Sequence, residues 1–137
     1  MQTGDLVMFR GRGPVAWLIR VWTRSAWDHC GVLWVIEGVP CVIEARFSGG
    51  VSCHALANRT EDGPDIYPTG RTVNIPLALS HLGDLYSAKD AILAGVNERG
   101  DHAGWECAEL AAWLLGLDHK AKGWTPQGLI EALVQNL

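Results

Sequence analysis

Two runs of apolar and β-branched residues, His29–Ile36 and Cys41–Arg46, stand on either side of Glu37, Gly38, Val39 and Pro40. Strand formers interrupted by turn formers read as a β-hairpin. A hairpin sorts side chains onto two faces, because successive residues point oppositely. A two- or four-residue turn puts His29 and Glu44 on one face, whereas a three-residue turn sets them on opposite faces, and the two-residue connection is the commonest. The hairpin therefore favours an imidazole and a carboxylate held side by side, with a short offset along the sheet.

The flanking sequence extends this sheet. GDLVMFR alternates like a short strand, the region from Gly50 to Leu56 adds another, and RTVNIPL alternates as one more. Between the first strand and the hairpin, GPVAWLIRVWT sets Val15, Leu18, Ile19 and Trp22 at helical spacing after a Gly-rich turn. The stretch from Asn58 to Gly70 is dense in Asn, Asp, Gly and Pro and reads as an exposed loop. The last half is helical. SAKDAILAGVNE carries an N-terminal capping pattern in Ser87 and Asp90, turns Ile92, Leu93 and Val96 to a core, and ends at Gly100. A second helix runs through WECAELAAWLLG, and a third opens with Thr125 and Pro126 and carries Leu129, Ile130, Leu133 and Val134. The predicted fold is α+β, a small antiparallel β-sheet packed against helices, in a single domain over 1–137.

Eleven Lys and Arg against fifteen Asp and Glu leave a formal charge of −4. This is not the basic footprint of a nucleic-acid or anionic-membrane binder, and nucleic acid is not an expected partner. No stretch is long, apolar and uncharged enough for stable membrane insertion. The opening segment MQTGDLVMFRGRG has two arginines and an aspartate before any long apolar run, unlike a signal peptide, so a cytoplasmic location is the default expectation, with export by another route left open. Four cysteines without CxxC spacing point to reduced thiols rather than a disulfide framework.

Cys107 is the residue with the clearest chemical promise. A thiol at the start of an apolar helix feels the positive end of the helix dipole, which favours the thiolate. His29 is its natural base and Glu44 the carboxylate placed to orient that imidazole, so the chain order is His, Glu, Cys. The arrangement requires the Cys107 helix to pack across the hairpin face carrying His29 and Glu44, bringing thiol and imidazole within about 3 to 4 Å. The backbone N–H of Cys107 is then a natural oxyanion donor.

Blander roles compete with these. A buried cysteine is usually a small hydrophobe, and Cys30, Cys41 and Cys53 are read that way. His29, Cys30, Cys53 and His54 have the donor chemistry for zinc, but adjacent strand residues face oppositely, so no metal or other cofactor is expected. His54 is an alternative base or orienting group and His102 a residue that could gate or line the site, although each sits where a histidine is usually exposed, and His81 and His119 read as surface or helix-end residues. GRGPVA shares only its glycines with a phosphate loop. Trp27 and Trp105 lie near His29 and Cys107 and could line a substrate groove, while large aromatics more often pack a core.

GDLVMFR, the segment ending in IRVWTRS, DHCGVLWVI, VIEAR followed by GGV, and WECAELAAWLLG together resemble circularly permuted NlpC-type papain-like cysteine hydrolases. The YiiX-like branch is the nearest in pattern, with lecithin:retinol acyltransferase-like proteins more distant. The resemblance spans nearly the whole chain and rests on the order and spacing of these segments. It implies a permuted papain-like fold in which the His strand precedes the Cys helix. Cys107 would be the nucleophile, His29 the base and Glu44 the third polar residue. One departure is SAWDHCG, which has no Ser or Thr beside the histidine. The implied activity is that of a bacterial or phage-type thiol hydrolase cleaving an amide, with cell-wall peptides as one substrate class, through a Cys thioester. An acyltransferase or lipid-ester thiol hydrolase is the enzymatic rival, and a non-catalytic peptide- or lipid-binding module on the same fold is the alternative of another class. The expected partner is a peptide, amide or acyl-ester substrate.

Overall fold

The computed structural model describes residues 1–46, 49–85, 106–120 and 123–134. Five strands, β1 (Leu6–Phe9), β2 (His29–Ile36), β3 (Val39–Arg46), β4 (Gly50–Ala55) and β5 (Asp65–Tyr67), form one antiparallel sheet in the order β4-β3-β2-β1-β5. Among the described residues four α-helices accompany it: α1 (Pro14–Thr23), α2 (Ile75–Leu79), α3 (Cys107–Leu114) and α4 (Pro126–Leu133). The α+β class and the antiparallel sheet packed with helices are as the sequence predicts.

The hairpin turn has two residues. Glu37 and Gly38 both adopt left-handed backbone, with φ of 48° and 81°, as a tight turn matched to the strand twist requires. Ile36 then pairs with Val39 and Val32 with Ile43. Of the alternatives left open by the sequence, this register selects the one that puts His29 and Glu44 on the same face.

Each face of the sheet has its own apolar cluster. Leu6, Met8, Cys30, Val32, Ile43 and Ala45 pack with Leu110 and Ala111 of α3 and Leu129 and Leu133 of α4. Val7, Phe9, Leu33 and Val42 pack with Leu56 on the opposite side, and by strand alternation this is the face of His29 and Glu44. Helix α4 starts as its sequence predicts: the Thr125 hydroxyl accepts from the Gly128 N–H at 3.0 Å, with Pro126 in the first turn.

Several local expectations are corrected. RTVNIPL is not a strand. The Asn74 carboxamide oxygen accepts from the Leu77 N–H at 3.1 Å, and with Pro76 in the first turn it starts α2, so a helix cap overrides the alternation. The stretch from Asn58 to Gly70 is not simply an exposed loop. A 3-10 helix (Leu56–Asp62) begins before it and runs into it, β5 pairs with β1 through Leu6 and Tyr67, and Arg59 and Thr69 are buried. Their polar groups are satisfied inside: the Thr69 hydroxyl donates to the Gly4 carbonyl at 2.6 Å and Arg59 reaches Glu44. Cys41 and Cys53 are only partly buried, unlike Cys30. The predicted helix SAKDAILAGVNE, with Ser87, Asp90, Ile92, Leu93 and Val96, lies outside the described residues, as do Gly100, His102 and Trp105.

Candidate active site

Helix α3 opens at the residue the chemistry needs. Glu106 is extended and caps it, its carboxylate accepting from the Ala108 N–H at 3.1 Å and from the Glu109 N–H. Cys107 is therefore the first helical residue, with its thiol at the positive end of the dipole. It is 6% exposed and a free thiol.

The helix does not pack across the face carrying His29 and Glu44. It lies on the other one, against Cys30, Val32, Ile43 and Ala45. The thiol and imidazole nevertheless interact, with His29 at the very start of β2. Cys30, its neighbour on the opposite face, brings its own thiol and backbone amide to the Cys107 sulfur. Adjacent strand residues thus both act on one sulfur.

Glu44 is fully buried on β3, and its Oε1 lies 3.4 Å from His29 Nε2. That is an ionic contact, longer than a charge-assisted hydrogen bond, and both atoms are buried without an aligned hydrogen bond. Gly31 makes the approach possible: a Cβ there would come 3.2 Å from the Glu44 Cβ and 2.9 Å from the Ile43 carbonyl oxygen.

Two arginines complete the carboxylate's surroundings. Arg59 Nη2 lies 3.1 Å from Glu44 Oε1 and its Nε donates to Oε2 at 3.3 Å, while Arg46 Nε lies 3.3 Å from Oε1. The Arg59 guanidinium sits 4.5 Å above the Phe9 ring, and Phe9 in turn lies 5.4 Å from the His29 ring, centroid to centroid. Neither Arg59, in a stretch read as loop, nor Arg46, at a strand end, is marked by any local motif. Glu106 did leave a signal, since a carboxylate immediately before an apolar helix is a plausible N-cap.

The charges are strongly coupled. Burial alone would lower the His29 pKa, but the Cys107 sulfur and Glu44 outweigh it and push it up from 6.5 to about 9. The Cys107 thiol is held well below its ordinary value by the Cys30 thiol and by His29, against the opposing effect of burial. Burial and then the Cys107 sulfur push Cys30 well up, and burial followed by the same sulfur does so for Glu106. For Glu44, burial favours the neutral acid, yet His29 and Arg59 together bring its pKa down. The site therefore favours a thiolate–imidazolium pair and an ionised Glu44, and disfavours the charged forms of Cys30 and Glu106.

Of the other sequence candidates, Trp27 donates its indole N–H to Asp65 at 3.1 Å and packs edge-on to Tyr67. His81 contacts Asp84 at 2.7 Å and stacks edge-on with Trp113. Cys53 and His54 point to opposite faces of β4, and among the described residues no three His, Cys, Asp or Glu side chains converge to hold a metal ion. No helix of the described residues is long and apolar enough to cross a membrane.

No protein-family model and no curated protein matches the chain. Among solved structures, the crystal structure of metalloprotein YiiX from Escherichia coli O157:H7 superposes with a TM-score of 0.61 at 21% identity, over 85% of this chain and 67% of that one. At that identity the likeness is one of fold, and the chain has a YiiX-like α+β fold.

Proposed function

We propose that the chain is a permuted NlpC-type papain-like thiol hydrolase that cleaves an amide through a Cys107 thioester. The supporting observation is the chain of contacts from the Cys107 thiol at the head of α3 to the His29 imidazole and on to buried Glu44. The thiolate attacks the carbonyl carbon, forming a C–S bond and an oxyanion that faces the Cys107 N–H. Glu106 occupies the Ala108 and Glu109 amides, which leaves the Cys107 amide for this role. Protonated His29 then gives its proton to the leaving amine as the C–N bond breaks. Neutral His29 next takes a proton from water, whose oxygen attacks the thioester; the acid departs and the thiolate returns. Glu44 keeps the imidazole oriented throughout. An ester substrate or a non-water acyl acceptor uses the same steps.

The test is the pH dependence of iodoacetamide alkylation at each cysteine, followed by peptide mass spectrometry in the native protein and in His29→Ala. Cys107 is expected to react fastest and to keep reacting well below the usual thiol pKa of about 8.5, and to lose that behaviour without His29. A Cys107 no more reactive than Cys41 or Cys53 overturns the nucleophile and leaves a binding module as the better reading.

A further inference from the structure

Helix α1 is built inside out. It buries none of its residues. The side that meets the protein is held by polar contacts: Arg20 donates to the Gly11 carbonyl and pairs with Asp28, both at 3.0 Å. The outward side is apolar, with Val15, Trp17, Leu18, Ile19, Val21 and Trp22 between 38% and 69% exposed. A surface helix normally does the opposite, turning its apolar stripe to the core. A contiguous exposed apolar face of this kind marks an interaction site.

Charge identifies the partner. The chain is acidic as a whole, yet between Leu6 and Trp27 it has Arg10, Arg12, Arg20 and Arg24 and no Asp or Glu. The average of −4 hides a basic segment. Arg12 and Arg24 are exposed at the two ends of the helix, and Arg10 and Arg12 line a cleft of about 340 Å³ with Gly63 and Asp65 at its N-terminal end. An apolar ridge containing tryptophan and flanked by arginines matches the interfacial zone of an anionic bilayer, where indoles and arginines sit at head-group level. A second copy of the chain is a poorer occupant, since a two-fold contact through α1 would set the arginine-flanked faces against each other.

We infer that α1 docks the protein peripherally on an anionic lipid surface, with Trp17, Leu18 and Val21 entering the interface and Arg12 and Arg24 meeting lipid phosphates. The inference is independent of the thioester chemistry. Its test is co-sedimentation of the intact protein with phosphatidylcholine vesicles with and without phosphatidylglycerol, alongside Trp17→Ser/Leu18→Ser, Arg12→Gln/Arg24→Gln and Cys107→Ala. The substituted α1 side chains are exposed, so circular dichroism is expected to be unchanged. The native protein and Cys107→Ala are expected to pellet with the anionic vesicles, less so as salt rises. The apolar double variant is expected to lose at least tenfold in partitioning, and the arginine variant to lose its preference for the anionic lipid. Failure of the native protein to bind anionic vesicles, binding indifferent to both double variants, or an α1-dependent dimer in sedimentation equilibrium each overturns the proposal.

Discussion

Glu44 is the residue on which the site's charge balance turns. It has no exposure and faces three cations, of which Arg59 is itself buried. Removing the carboxylate breaks the buried Glu44–Arg59 ion pair, and loss of one member of a buried pair typically costs about 3–5 kcal/mol. Glu44→Ala is therefore expected to lose stability on that order in urea unfolding, and Glu44→Gln to lose less. A loss under about 1 kcal/mol in Glu44→Ala would mean that the pair is solvated in solution. Cys107, His29 and Glu44 were legible because a helix start and hairpin parity are local properties. Arg59 was not, because its partner lies across the β3–β4 connection and nothing around it in sequence distinguishes it from a surface arginine.

Hairpin geometry depends on two glycines with different tasks. Gly38 supplies the second left-handed residue of the turn, while Gly31 leaves the space into which Glu44 leans. Gly31→Ala would push its Cβ against Val42, the Ile43 carbonyl and Glu44, an overpacking that typically costs about 1–3 kcal/mol. It is expected to lower the melting temperature and, by moving Glu44 from His29, to slow Cys107 alkylation near neutral pH. Unchanged alkylation alongside a lowered melting temperature would show that Glu44 does not tune the imidazole. At this scale the sequence was a good guide where caps and turns decide, as at Thr125. It misled at RTVNIPL, where alternation and the Asn74 cap compete and the cap prevails.

Across the whole molecule, the pH dependence of stability reports the thiolate–imidazolium pair. His29, raised to about 9, contributes stability that is complete below its ordinary 6.5 and is lost as pH rises through about 9. Cys107, lowered, contributes with the opposite sign: fully present above the ordinary thiol range and lost as pH falls through its folded value. Between about 6.5 and 9 the two slopes oppose, so the melting temperature is expected to be nearly flat there. Below that window His29 is charged in both states; Cys107, with Glu44 adding the same sign, makes stability fall on acidification, while the raised Glu106 carboxyl opposes that fall. Differential scanning calorimetry across this range checks it. A steep fall in melting temperature between pH 6.5 and 9 would signify a protonated His29 without a thiolate partner.

The amino-acid sequence alone determined the α+β class, the hairpin, the helix starts at Cys107 and Thr125, and the three residues on which the chemistry is proposed. Periodicity, turn chemistry and capping act over a few residues, so these features can be read without the fold. Tertiary structure decided the rest. It placed α3 on the Cys30 face and let His29 meet the thiol from the end of β2. It brought Arg46 and Arg59 to Glu44, and it turned the apolar side of α1 outward. A helical pattern specifies which side chains share a stripe, but only the neighbouring elements decide whether that stripe faces the core or the solvent.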